Sequence, residues 1–422
     1  MTIRVKNKTG TIIGFGRSGV AAAHLILRLG GKVKVSDIAP AEKIDQILLG
    51  AGLHGKILVE SGQHTKEFIC DSDFLVLSPG VRLDALPVQW ARERNIPVFG
   101  EIEFAWAFCR NPVIAVTGSN GKTTTVTLIH QILERAGKKA CLCGNVGTPF
   151  TKYVLDLAKD EIVVLEVSSF QLETISSLKP HVGIILNCTQ NHLDRHKDLE
   201  EYFSAKKRIF MNQGKEDFAI LNHDDPNMKI LAKALKANVL FFNDSVAKAA
   251  YPKDNPNFLA ARCASKLFGV DDHTIDKVFA EFKGVTHRLE WVRSIQGIAF
   301  INDSKSTTVE AGCWALERMD KPVVIICGGR EKNTDFSGLR GLVKKKVKNM
   351  FVIGEAREKI MKTFSDIVPA EECSSLPEAL TKSFHKAEKG DCILFSPMCK
   401  SFDMFTNFEE RGKEYKRLVK EL

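Results

Sequence analysis

No stretch of the 422 residues stays apolar over the ~20 positions that a membrane-crossing helix needs. The opening residues, MTIRVKNKTGTIIGFG, hold no apolar run of signal-peptide length before a small-residue cleavage site, so a cytoplasmic protein is expected. Cysteine pairs at metal-site spacing are also missing. Cys141 and Cys143 stand one residue apart and the rest are scattered, which fits reduced thiols better than disulfides or zinc. No basic patch interleaved with aromatics accompanies the net charge of +9, so nucleic acid is a weak expectation. Much of that excess lies in Lys344–Lys348 and between Arg411 and Lys420, which suits solvated helix faces or an anionic small substrate. No repeat, low-complexity run or long linker interrupts the chain.

What is present is an ordinary apolar share, 44%, and a length that predicts two or three domains of roughly 100–200 residues each. Three successive segments alternate short apolar runs with helical patterns. Over about 1–95, strands are predicted at 11–13, 32–36 and 74–77, with a helix over 20–29. Over about 96–283, strands are predicted at 113–116, 140–142, 162–166, 182–186, 218–221 and 239–242. Helices are predicted there after Lys122, around 199–209, and over 258–267 and 275–282. Over about 284–422, strands are predicted at 298–301, 323–327, 351–353 and 392–395, with helices over 309–318, 376–386 and 407–420. Such alternation implies the α/β class, with parallel sheets covered by helices on both faces.

The most informative stretch is VIAVTGSNGKTTT, Val113–Thr125. A strand leads through a glycine turn into a helix opened by Lys122 and Thr123, which is how a chain cradles a polyphosphate. Turn N–H groups face the oxygens and the helix N-terminus adds partial positive charge. Lys122 would neutralise terminal phosphates and the Thr123 hydroxyl would ligate Mg²⁺. The general pattern G-x-x-x-x-G-K-[ST] asks for glycine at position 116, where Val116 stands.

Other polar clusters follow apolar strands, where parallel sheets collect ligands. GFGRSG at Gly14–Gly19, with Asp37 closing the next strand, is the dinucleotide-binding pattern, and equally a tight turn with no ligand. Glu166 ends a strand and suits a metal. His192 lies past the next strand at the same sheet edge. Nothing in the residue types separates Lys206 from Lys207 on a solvated basic face. Arg288 could reach phosphates at a domain junction, and NDSKSTT (302–308), GGREK (328–332) and SPMCKSFD (396–403) form further edges. Four such edges suggest a ligand held between domains.

Together these motifs resemble the Mur ligase family across almost the whole chain. That family's loop, T-G-[ST]-N-G-K-[ST], is matched by Thr117–Thr123 and needs no glycine at Val116. LEVSSFQLE, NHLDRH and AKKRIF match its magnesium and carbamylated-lysine motifs; GVTHRLE, INDSKSTT, GGREKNTDF and SPMCKSFDMFTNFEERG match its C-terminal motifs in order. The resemblance implies three domains: a Rossmann-like UDP-sugar domain (1–95), a P-loop ATPase-like domain (96–283) and a Rossmann-like amino-acid domain (284–422). It further implies ATP-driven addition of D-glutamate to UDP-N-acetylmuramoyl-L-alanine through an acyl phosphate, in cytoplasmic peptidoglycan precursor synthesis, by a monomer. Lys122, His192 and Lys206 would be catalytic. Gly118, Ser119, Asn120, Gly121, Lys122, Thr123, Thr124, Asn257, Arg288 and Asp303 would hold ATP. Gly14, Gly16, Arg17, Ser18, Asp37, Gly80 and Asn145 would hold the UDP-sugar, and Lys305, Thr307, Lys332, Ser401, Phe402 and Phe408 the D-glutamate. Two Mg²⁺ ions would sit on Thr123, Glu166, His192 and a Lys206 carbamate.

Two departures stand out. The family's adenine segment, H-N-x-x-N-x-x-A-A, becomes KDNPNFLAA, in which only Asn257 matches securely. Thr308 replaces a common asparagine. The rival readings are another Mur-type ligase and a nicotinamide-dependent dehydrogenase built on GFGRSG, which leaves the later motifs without a role.

Overall fold

The computed structural model describes residues 3–189, 196–251, 255–330 and 334–422. Three sheets form, each at a segment of strand–helix alternation. The first contains β1 (Thr9–Ile13), β2 (Lys32–Asp37), β3 (Leu58–Ser61), β4 (Phe74–Leu77) and β5 (Val98–Gly100). All pair parallel in the order β3-β2-β1-β4-β5, so the order reverses between β1 and β4. A crevice at such a reversal is where doubly wound folds bind ligands.

The second sheet contains β6 (Val113–Thr117), β7 (Ala140–Gly144), β8 (Ile162–Glu166), β9 (Val182–Ile185), β10 (Phe218–Asn222) and β11 (Asn238–Phe242). It is fully parallel, in the order β11-β10-β9-β6-β8-β7. β6, β8 and β9 are buried along their whole length, as strands covered on both faces must be.

The third sheet contains β12 (Glu290–Ile295), β13 (Ile298–Asn302), β14 (Val323–Gly328), β15 (Val347–Ile353), β16 (Ala370–Glu372) and β17 (Cys392–Phe395). Its order is β12-β13-β17-β14-β15-β16, parallel except for the edge strand β12. β12 was not anticipated from the residue pattern. Its signal is the two-residue turn Gln296-Gly297, both at positive φ (52° and 80°), which matches the twist of a tight hairpin.

The chain divides into two compact units, one ending at Phe282 and one starting at Lys283. Within the first unit, the first two sheets are held together through the segment after β5. Two buried carboxylates on the helix Glu101–Trp106 do this. Glu101 accepts from the Thr151 N–H and hydroxyl, both at 2.7 Å, and Glu103 accepts from Ser176, Ser177 and the Leu178 N–H. A Cβ on Gly100 would meet the Thr174 hydroxyl at 1.9 Å, so only glycine allows that approach. Arg28 also forks onto Asp156 at 2.7 and 2.6 Å. None of the eleven cysteines is in a disulfide. Among the described residues no helix is long and apolar enough to cross a membrane.

Candidate active site

The phosphate loop explains why Val116 is no glycine. β6 runs on to Thr117, and Val116 is a fully buried core residue paired with Glu166. The turn therefore starts only at Gly118. Gly118 and Gly121 take φ of 155° and 84°, backbone that side chains rarely adopt, and Gly121 caps the helix Lys122–Arg135. A Cβ on Gly121 would lie 2.2 Å from Asn257 Oδ1, so the loop and the expected adenine residue are in direct contact. Asn255 is engaged elsewhere. Its Oδ1 caps the helix Pro256–Lys266 by accepting from the Asn257 and Phe258 N–H groups. Asp254 lies outside the described residues.

Two lysines converge on one backbone oxygen. Lys122 Nζ donates to Gly118 O at 2.8 Å and Ser119 O at 3.1 Å, and Lys206 Nζ donates to the same Gly118 O at 3.0 Å. Lys206 is only 1% exposed, which corrects the solvated-face reading of its residue type. Lys207, its neighbour, is only partly buried and lies over the Phe203 ring. Burial, reinforced by the like charge of Lys122, pulls the Lys206 amine well below the usual lysine range. Its Nζ sits 4.2 Å over the Tyr202 ring, one helical turn earlier. Tyr202 was missed in the sequence, although the i, i+4 spacing to Lys206 is its signal.

Glu166, at the end of β8, is also buried rather than an exposed strand end. Its Oε1 accepts from Asn145 Nδ2 at 2.8 Å, while Oε2 is buried with no hydrogen-bond partner. A buried carboxylate oxygen left bare is costly unless something fills its place, and a cation does so. This fits magnesium at the end of β8, next to β6, from which the phosphate loop leads off. Among the described residues no group of three His, Cys, Asp or Glu forms a metal cluster, so the expected set depends on a hydroxyl and a modified lysine. His192 lies outside the described residues.

At the reversal point of the first sheet, Gly14 (φ 85°) turns the chain from β1 into the helix Arg17–Arg28. A Cβ on Gly19 would meet Gly14 O at 2.4 Å, so that glycine lets the helix start close to the strand. Gly16 is the helix N-cap and offers no side-chain cap. Arg17 is exposed and Ser18 half-buried beside it. Ser78, at the end of β4, donates to Gly14 O at 2.7 Å, which brings the segment with Gly80 to the same edge. Asp37 does not point freely at a ligand. Its two oxygens accept from the N–H groups of Phe15 (2.6 Å) and Ala39 (2.7 Å), tying the glycine turn to the loop after β2.

In the second unit, the strand ends of β13, β14 and β17 gather the expected residues. Gly328 N–H donates to Pro397 O, Arg330 N–H to Lys400 O and Met398 N–H to Ser306 O. Met398 holds φ at 58° there, a strained conformation for its residue type. Lys305 Nζ lies 6.0 Å from the centre of the Phe408 ring, and Phe408 O accepts from Ser304 Oγ at 2.8 Å. Thr307 is half-buried, Ser401 buried, and Phe402 exposed. Lys332 lies outside the described residues. Thr308 caps the helix Val309–Glu317 through its hydroxyl, a role that serine, threonine and asparagine share.

Arg288 stacks 4.4 Å over the Trp314 ring, a partner the sequence did not suggest. Asp303 is fully buried; it accepts from the Leu289 N–H and from Ser396 Oγ. Burial pushes its carboxyl up to about 6, against the opposing pull of Arg288 and these donors. A native carboxyl that holds its proton above the unfolded value near ~3.9 makes stability fall as pH rises through that interval. The expected slope for this group amounts to about 3 kcal/mol between pH ~4 and ~6. Thermal denaturation of Asp303→Asn against the parent should show a shallower decline there, and equal slopes would refute the assignment.

Three families of known domains cover nearly all of these elements. Residues 8–100 match the MurD-like N-terminal domain of Mur ligases, 116–284 the Mur ligase middle domain, and 287–399 the Mur ligase glutamate ligase domain. UDP-N-acetylmuramoylalanine–D-glutamate ligase of Koribacter versatilis is 38% identical, covering 99% of this chain and 98% of that one. The protein of that name from Caldanaerobacter subterraneus is 36% identical over the whole of both chains. The chain belongs to the Mur ligase family, in its MurD branch. The solved UDP-N-acetylmuramate–alanine ligase MurC of Thermotoga maritima shares the Mur ligase fold, with a TM-score of 0.59 at 18% identity, over 98% of this chain and all of that one. Alignments of 453 positions or more with the MurD relatives exceed this chain's length, so those Mur ligases carry residues that it lacks.

Proposed function

We propose that this Mur ligase joins D-glutamate to UDP-N-acetylmuramoyl-L-alanine at the expense of ATP, in the cytoplasm, as a step of peptidoglycan precursor synthesis. The observation that carries the reading is the whole-length similarity to ligases of that name, N-terminal domain included. The substrate's terminal carboxylate attacks the γ-phosphorus, ADP leaves, and an acyl phosphate results. The amine of D-glutamate then attacks the acyl carbon, an amide forms and phosphate departs. Activation is required because a carboxylate is a poor acyl donor.

The expected site residues take these tasks in the scheme. Lys122 leaves the loop carbonyls for the γ-phosphate and stabilises charge as it develops. The loop N–H groups not spent on Asn187 and the helix N-terminus hold the remaining phosphates, with Asn257 against the loop on the adenine side. Arg288 and Asp303 supply the cation and acceptor expected for phosphates and ribose. Asn145, fixed by Glu166, orients the muramoyl-alanine with His192. Lys332, Lys305, Thr307, Ser401, Phe402 and Phe408 hold D-glutamate. GFGRSG and the segment through Gly80 hold the UDP diphosphate at the open N-terminus of the helix Arg17–Arg28. Two Mg²⁺ ions, held by Thr123, Glu166, His192 and a carbamylated Lys206, would neutralise charge on the transferring phosphoryl group. Carbamylation is supported by the depressed Lys206 amine, because only the neutral amine captures CO₂.

The test is a panel of amino acids. With UDP-N-acetylmuramoyl-L-alanine and ATP, phosphate release is expected with D-glutamate and not with L-glutamate, L-lysine or diaminopimelate. Turnover with another member of the panel and none with D-glutamate would refute the proposal.

A further inference from the structure

The phosphate loop is stitched to the segment that leaves β9 by a set of bonds that no ATP contact explains. Asn187 uses both ends of its amide on one residue. Its Oδ1 accepts from the Asn120 N–H at 2.9 Å and its Nδ2 donates to Asn120 O at 3.1 Å. Only one orientation of the amide satisfies both bonds, so the pair acts like a single rung of a β-ladder made by a side chain. Beside it, the Ser119 N–H donates to Asn187 O at 3.1 Å. Ser119 Oγ donates to Thr189 O and accepts from the Thr189 N–H, both at 2.9 Å. Ser119 is 6% exposed.

A hydroxyl has one proton and two acceptor sites. At Ser119 the proton is given to Thr189 O, which leaves no donor for a phosphate. We infer that Asn187 and Ser119 are positioning residues that anchor the phosphate loop to the β9 exit, and that the Ser119 hydroxyl does not donate to ATP. The inference rests on ATP binding at this loop, as proposed above. It gives a physical reason for serine or threonine at this place in T-G-[ST]-N-G-K-[ST], since either supplies the hydroxyl.

The test uses the full chain and the non-hydrolysable analogue AMP-PNP. Calorimetry should show its dissociation constant rising about tenfold or more in Asn187→Ala, the equivalent of two lost hydrogen bonds. Asn187→Asp keeps an acceptor for the Asn120 N–H and sets an oxygen against Asn120 O, so a rise is expected there too; this variant carries the test if the alanine form does not fold. Ser119→Thr should bind within about twofold of the parent and Ser119→Ala should not, given one to two hydrogen bonds at stake. Hydrogen exchange over residues 117–124 should accelerate in Asn187→Ala with no ligand present. Unchanged affinity and unchanged exchange in folded Asn187 variants would overturn the inference, as would a lower melting temperature with unchanged affinity. Absence of AMP-PNP binding by the parent chain would instead refute the ATP reading, and the ligand-free exchange would still decide the anchoring.

Discussion

Replacing Lys206 by alanine is expected to remove nearly all ligation, by about a thousandfold in kcat, as loss of a charge-stabilising group in a closed site does. Added acetate or bicarbonate should restore part of it by placing a free carboxylate where the proposed carbamate would stand. The expectation rests on geometry. Lys206 is buried, shares the Gly118 oxygen with Lys122, and has an amine pulled far down by burial and by that neighbour. Beside Lys122 a second ammonium would repel Mg²⁺, whereas the carbamate proposed above, formed from the neutral amine and CO₂, would be an anionic ligand for it. Before modification, the native lysine sheds its proton below the unfolded value near ~10.4, so the unmodified protein gains stability as pH rises through that interval. Full activity in Lys206→Ala without any added carboxylate would remove the carbamate from the mechanism.

Arg411→Ala should unfold the second unit more readily, by about 3–5 kcal/mol, measured by denaturant or thermal melting. Arg411 is fully buried in the helix Phe408–Glu421. It donates to Ser304 Oγ (3.1 Å), Ser304 O (2.8 Å) and Cys399 O (3.1 Å). One guanidinium thus ties the loop after β13 and the loop after β17 to the C-terminal helix. Burial lowers it to about 10, with Cys399 and Asp403 opposing. Truncation leaves two buried carbonyls bare and a cavity beside Gly329, whose absent Cβ makes room for the Arg411 Nη1. Arg411→Lys should recover less than half of the loss, because one ammonium cannot replace the planar fork. Melting of Arg411→Ala within about 1 kcal/mol of the parent would show that the loops are held by other means.

The strand positions were legible because parallel strands covered on both faces must be apolar along their length. β4, β8 and β17 begin and end where the residue pattern sets them, β15 starts four residues earlier, at Val347, and the others differ by a residue or two at their ends. Weak elements were not legible. β3 is partly exposed, β16 is three residues long, and β12 is an exposed edge with an irregular register. Such strands lack the apolar signal that burial imposes. The site divides along a similar line. Glycine turns and the lysine–threonine pair announce themselves because the backbone geometry demands those residue types. The partners of Arg288 and Arg411, and the Phe15 N–H from which Asp37 accepts, come from other segments of the chain, and no local pattern marks them.

By itself, the sequence determined the α/β class, the three successive alternations and the phosphate loop, since hydrophobic period and turn chemistry are local properties. Tertiary structure alone decided which polar groups lost their water. It made Lys206 unlike Lys207, left one oxygen of Glu166 bare, and committed the Ser119 hydroxyl to Thr189. Burial and partnership depend on what the rest of the chain brings alongside, and those are the quantities that separate a reactive amine from a solvated one.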